Sequence, residues 1–135
     1  PEHLFLSARW SPDLPTATPK LSHLPDDQFV NAVQHRYNAI PQQLLDQPTI
    51  LKMFLPSMRA DFALLDTYVY SEEAPLDVPI TAYRGMADKV VPLAGVQGWK
   101  VHTTAAFKMR QYAGGHFFLK DSAELLCDSI AAALR

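Results

Sequence analysis

The sequence predicts an α/β fold built on a parallel sheet. Short apolar runs of strand type alternate with segments of helical period, in the order strand, helix, strand, helix. The composition, 48% hydrophobic and 19% charged over 135 residues, is that of an ordinary globular chain, with one domain the default at this length. Eleven prolines against five glycines imply many short elements with hard stops.

Residues 3–8 are short, apolar and followed by turn residues, which predicts a buried strand. Prolines at 12, 15, 19 and 25 make 11–25 a loop. A helical period follows to about residue 70. Pro25 suits a first turn with Asp26 and Asp27 at its positive end, and Phe29, Val30 and Val33 form one apolar face. Asn38 is suited to end that helix in a left-handed conformation. Pro41 restarts a short helix with Leu44 and Leu45, and Pro48 another with Ile50, Leu51, Phe54 and Leu55. Pro56 predicts a break or a new first turn, after which Met58, Phe62 and Leu65 recur at helical spacing with Arg59, Asp61 and Asp66 between them. The expectation is a chain of short helices, each opened by a proline.

A second strand is predicted over 78–83, closed by Gly85, and a short helix over 91–99 that Gly95 and Gly98 weaken. Residues 106–112 alternate apolar and polar, as a strand with one wetter face does, and Gly114-Gly115 ends them. A helix over 119–134 is capped by Asp121 or Ser122, carries Glu124 in its first turn, and aligns Leu126, Ile130, Ala133 and Leu134 on one face.

A net charge of −2, from 12 basic and 14 acidic residues, leaves no electrostatic footprint for nucleic acid. No apolar run approaches the roughly 18 residues of a membrane helix, and Pro1-Glu2-His3-Leu4 has no signal-peptide character. A cytoplasmic protein is the expectation. Cys127 is the single cysteine; it can form no internal disulfide and is expected to be a small buried residue of the last helix. His3, His23, His35 and His102 lack metal-ligand spacing and read as surface or packing residues. Trp10 and Trp99 read as packing anchors.

In α/β sheets the chemistry gathers just past the carboxyl ends of strands. Asp88 follows the strand at 78–83, and His116 follows the strand at 106–112. The intervening chain has room for one helix and one strand, so their loops can be neighbours. An aspartate there can fix the histidine tautomer, and the histidine can serve a hydroxyl as general base, in the chain order of α/β-hydrolases. The alternative reading stays open: Asp88 as a turn cap and His116 as a loop residue. No serine of the chain lies in a Gly-x-Ser-x-Gly elbow, so the nucleophile and its following oxyanion amide are absent from this stretch.

Several stretches together resemble the C-terminal half of a type II thioesterase, a stand-alone α/β-hydrolase associated with nonribosomal peptide and polyketide synthases. They are His3-Leu4-Phe5-Leu6-Ser7, Leu24-Pro25-Asp26-Asp27-Gln28-Phe29, Arg36-Tyr37-Asn38-Ala39-Ile40-Pro41, Leu55-Pro56-Ser57-Met58-Arg59-Ala60-Asp61-Phe62, Pro75-Leu76-Asp77-Val78-Pro79-Ile80 and Gly114-Gly115-His116-Phe117-Phe118. The resemblance runs roughly from 3 to 120, with Ala8 and Asn38-Ala39 standing where the family has glycines. It implies a helical lid inserted over 24–74, Asp88 as triad acid and His116 as triad base, and an acyl chamber to which Phe29, Met53, Phe54 and Met58 contribute; packing in the core is the competing role for these four.

The resemblance also implies hydrolysis of acyl thioesters on the phosphopantetheine arm of a carrier protein, with no metal or diffusible cofactor. It implies that the hydrolase half bearing the serine is missing from this chain, so that these residues alone are inactive and, with a strand edge exposed, marginal or aggregating in isolation. Pro1 is also compatible with a start at a removed methionine, so it does not by itself prove truncation. An esterase or acyltransferase on the same fold, and a non-catalytic interaction module, are the alternatives.

Overall fold

A computed structural model describes residues 1–15 and 18–135. In chain order the elements are β1 (Leu4–Ser7), α1 (Asp26–Tyr37), α2 (Gln42–Leu45), α3 (Pro48–Thr67), β2 (Ile80–Gly85), α4 (Leu93–Gln97), β3 (Phe107–Tyr112) and α5 (Ala123–Ala133), with 3₁₀ turns at Gly98–His102 and Phe118–Lys120. The chain divides into two compact units, Pro1–Thr16 with Tyr70–Arg135, and Ala17–Val69. Of the loop expected over 11–25, residues 16 and 17 lie outside the described residues.

The first unit holds a parallel sheet in the order β1-β2-β3. All six residues of the central strand, β2, are buried. On one face Ala82 packs with Val91 and Val96, joined by Trp10, Val90, Phe107 and Met109. On the other, the Tyr83 hydroxyl meets the Ser129 hydroxyl at 3.1 Å, tying β2 to α5.

β2 starts two residues later than its apolar run predicts. Pro79 has no N–H to donate to a ladder; its carbonyl accepts from Leu4 instead. Gly85 is the last strand residue rather than a stop, paired with Tyr112. The helix expected over 91–99 shortens to α4 and winds on as a 3₁₀ turn. The last helix begins only at Ala123; Ser122 occupies its N-cap without a side-chain cap bond. Its buried residue is Ser129, whereas Leu125 and Leu134 are exposed. Cys127, expected inside, is exposed, because the Ser129 side of α5 is the one turned to β2.

The second unit has its own apolar core of Leu21, Phe29, Val33, Ile40, Leu51 and Leu55. Met58 and Phe62 extend the Leu51–Leu55 stripe of α3 by further helical turns and pack against it. Burial of Phe29, which has 0% exposure, contributes about 2–3 kcal/mol by transfer alone. Prolines open each helix as expected: Pro25 and Pro41 are N-caps and Pro48 is a first-turn residue. Asn38 closes α1 at φ 49°, its N–H donating to the Gln34 carbonyl. Pro56 does not break the chain; α3 runs through it for 20 residues. The carbonyl deprived of its helical donor is that of exposed Lys52, where water can serve it, and buried Leu51 and Leu55 before Pro56 continue into partly buried Met58 and Phe62 after it as one stripe.

Candidate active site

The ends of β2 and β3 are stitched together beyond the ladder. The Met86 N–H donates to the Tyr112 carbonyl at 2.8 Å and the Ala87 N–H to the Gly114 carbonyl at 2.9 Å. The loops after two neighbouring strands are thus fixed against each other at the carboxyl edge of the sheet. Residue 85 must be glycine: a Cβ there would lie 2.6 Å from the Gly114 carbonyl oxygen and overlap that of Gly115. Gly114 itself turns at φ +111°, a conformation that disfavours any side chain.

This scaffold brings Asp88 and His116 together. The Asp88 Oδ2 lies 3.1 Å from the His116 Nδ1. The Asp88 side chain is 0% exposed and that of His116 18%. The other carboxylate oxygen, Oδ1, accepts the Val90 and Val91 amides at 2.8 and 3.0 Å. The two oxygens of Asp88 thus have different partners: one caps the turn and the other meets the imidazole. A carboxylate can only accept, so Nδ1 is the donor, and the neutral ring then carries its lone pair on Nε2. Phe117 stands edge-on to the ring at 5.1 Å.

Phe29, Met53, Phe54 and Met58 all lie in the helical unit, but the structure does not gather them on one face. Phe29 is wholly buried, with Phe62 edge-on at 5.4 Å. Met58 is half-buried against the same core. Met53 and Phe54 are 76% and 51% exposed, off the Leu51–Leu55 stripe. Trp10 packs against the sheet core and donates its indole N–H to the Val90 carbonyl. His102 is more than a packing residue: its Nε2 meets Asp13 at 2.7 Å and Ser11 at 3.0 Å, with Tyr70 and Trp99 edge-on. Among the described residues no three His, Cys, Asp or Glu side chains could hold a metal, and no helix is long and apolar enough to cross a membrane.

Sequence reasoning passed over Arg84, which is buried behind the Asp88 loop. The signal was present: a charge inside an otherwise buried parallel strand needs partners.

A thioesterase-domain family model matches residues 1–134. The protein named linear gramicidin dehydrogenase LgrE of Brevibacillus parabrevis is 37% identical over all of this chain and 52% of its own length. Thioesterase PikA5 of Streptomyces venezuelae is 34% identical over 97% of this chain and 46% of its own. The structure of RedJ, a thioesterase of the prodiginine biosynthetic pathway in Streptomyces coelicolor, matches with a TM-score of 0.86 at 28% identity, over 98% of this chain and 52% of that one. The chain thus spans about half the length of these relatives. The likeness extends through the sheet and the helical insertion alike, and the chain belongs to the thioesterase domain family.

Proposed function

We propose that this chain supplies the acid and base of a serine thioesterase that releases acyl groups from the phosphopantetheine arms of carrier proteins, clearing stalled synthases of nonribosomal peptide or polyketide type. The observation that carries this reading is the 3.1 Å contact between His116 Nδ1 and a fully buried Asp88 carboxylate at the carboxyl edge of the sheet. The relatives' names support the substrate class: one names a thioesterase, another gramicidin, and a solved neighbour a prodiginine pathway thioesterase. The word dehydrogenase in one of these names is not carried over. The five glycines here, at 85, 95, 98, 114 and 115, form no Gly-x-Gly-x-x-Gly dinucleotide loop.

In this mechanism a serine hydroxyl attacks the thioester carbonyl carbon while His116 Nε2 takes its proton. The imidazolium, stabilised by Asp88, protonates the departing thiol as the C–S bond breaks. Water, deprotonated by the same histidine, then cleaves the acyl-serine to a free acid and restores the serine. No serine of these 135 residues lies in a nucleophile elbow, so the attacking serine is proposed to come from a part of the protein outside them. The acyl chain is proposed to pack on the insertion around Met53 and Phe54, the exposed pair of the four candidates, while Phe29 and Met58 belong to the core of the insertion. A cytoplasmic location, where carrier proteins are loaded, goes with this reading.

Two experiments test it. The coding sequence upstream of the Pro1 codon should contain an in-frame Gly-x-Ser-x-Gly; its absence favours a non-catalytic module. In the full-length protein, assayed on an acylated carrier protein, His116→Ala should lower kcat by about 10⁶-fold, and Asp88→Asn by about 10⁴-fold through the wrong tautomer. A change of only a few-fold overturns the assignment.

A further inference from the structure

We propose that Arg84 is the positioning residue of this site, holding the Asp88 loop by its backbone so that the carboxylate stays available to His116. The inference rests on the reading of Asp88 and His116 as acid and base. Among the described residues, the charged side chains that are buried are Arg84 and Asp88, four positions apart. They do not neutralise each other side chain to side chain. The guanidinium spends its donors on carbonyls: Nε to Val91 at 3.0 Å, Nη2 to Asp88 at 2.9 Å and Nη1 to Met86 at 3.3 Å. Nη1 also reaches Gln111 Oε1 at 3.4 Å, across the ladder from its own strand position.

Those three carbonyls run along the loop from Met86 to Val91, and the middle one is Asp88's own. The same loop turns the Val90 and Val91 amides onto Asp88 Oδ1. Arg84 thus binds the outside of a turn whose inside is organised by Asp88. A planar fork with five fixed donors suits this task; a lysine offers a point charge on a flexible stem. Because the fork is occupied by carbonyl oxygens, it does not draw the carboxylate away from the imidazole. Had it paired with Oδ2, it would compete directly with His116 Nδ1–H.

The test uses the full-length protein with Arg84→Met, which keeps length without donors, and Arg84→Lys, which keeps charge without the fork. Three readouts are taken: kcat and KM on an acylated carrier protein, the low-field proton resonance of His116 Nδ1–H, and hydrogen exchange at the Val90 and Val91 amides. A misplacement of about 1 Å at a catalytic group can cost roughly 100-fold. Arg84→Met should therefore lower kcat by about 10- to 100-fold with KM within about twofold, lose the low-field resonance and expose both amides. Arg84→Lys should recover part of each, and the same readouts on it decide the proposal if Arg84→Met fails to fold. An unchanged resonance and unchanged kcat in a folded Arg84→Lys and Arg84→Met pair, with only the melting temperature lowered, overturns the proposal. His116→Gln separates the two claims. If it leaves hydrolysis intact the catalytic reading fails, while the resonance and the two amides still decide whether Arg84 positions Asp88.

Discussion

In the helical unit, Arg59 and Asp66 gather backbone groups of the segment entering α1; in the sheet unit, Arg84 and Asp88 gather those of the loop leaving β2. Arg59 Nη1 donates to the Ser22 and Leu24 carbonyls at 2.5 and 2.7 Å, and Nη2 pairs with Asp26 at 2.7 Å. Asp66 Oδ2 accepts the Leu21 and Ser22 amides at 3.0 and 2.8 Å. Asp88 does the same with Oδ1 on Val90 and Val91. In each unit one arginine collects carbonyls and one aspartate collects two adjacent amides on a single oxygen. The units part at one atom. The second oxygen of Asp88 meets an imidazole, and a structural brace becomes a site that can orient a base. The comparison teaches that a charged side chain bracing backbone groups is not by itself a mark of chemistry; what the brace leaves over is.

The largest effect expected on this comparison comes from removing the keystone of the helical core. Phe29 is fully buried, edge-on to Phe62, with the Arg59 guanidinium 4.7 Å above its ring. Phe29→Ala should cost about 3–5 kcal/mol, seen as accelerated hydrogen exchange in α1 and α3. The two apolar clusters share no residue, so the amides of β2 and β3 should keep their protection. Equal loss in both units would show that the cores are one.

A smaller effect tests the aspartate of each brace. Partial burial raises the Asp66 carboxyl, but the amide and hydroxyl of Ser22, the Leu21 amide and the Lys20 charge together outweigh it and hold the group below its ordinary value of 3.8. A carboxyl lowered in the folded state adds stability above its unfolded value, and that stability is lost as pH falls through the folded one. Asp66→Asn should therefore cost about 1–2 kcal/mol at pH 7, where a charged acceptor is replaced by a neutral one. The gap between the two proteins should close on acidification below about pH 4. A gap that persists at pH 2 would mean that the carboxylate's charge is not what holds the segment. Asp13 in the sheet unit is lowered as well, by the Ser11 hydroxyl first and His102 second, and its contribution should fade with the same sign.

The parts of the molecule legible in the sequence were those set by local chemistry. The strand–helix order, the prolines opening α1, α2 and α3, and the left-handed Asn38 follow from periodicity and backbone restriction. So did the neighbouring placement of Asp88 and His116, since each follows a strand end and the strands are adjacent. What stayed hidden depends on partners distant in sequence. Arg59 reads as a solvent-facing helix charge until carbonyls 35 and 37 residues away close on it. His102 reads as a lone histidine until Asp13, 89 residues away, is folded beside it. Pro56 reads as a helix breaker because its ring and missing N–H are local, while the buried stripe that overrides it belongs to the core. The exposure of Cys127 likewise reflects which side of α5 meets Tyr83: half-buried Leu126 and Ile130 flank Ser129 there, and the expectation of burial rested on residue type alone.

The smallest effect concerns two positions where the family resemblance sets glycine and this chain does not. Ala8 and Asn38 are the described non-glycine residues at positive φ, 47° and 49°. One lies where β1 ends, its N–H bonded to the Tyr83 carbonyl at 2.9 Å, and the other closes α1. The left-handed region costs a residue with a Cβ roughly 1–2 kcal/mol, against about 0.5–1 kcal/mol of extra chain entropy that glycine loses on folding. Ala8→Gly should thus stabilise the protein by about 0.5–1 kcal/mol, a rise in Tm of about 2–4 °C for a domain of this size. Asparagine tolerates the conformation far better than alanine, and Asn38 Oδ1 also accepts a hydrogen bond from Gln34 Nε2 at 2.9 Å. Asn38→Gly should accordingly leave Tm unchanged or lower it slightly. The opposite ranking would mean that the turn after β1 carries no backbone strain, and that the alanine there is as well fitted to its turn as the asparagine is to the end of α1.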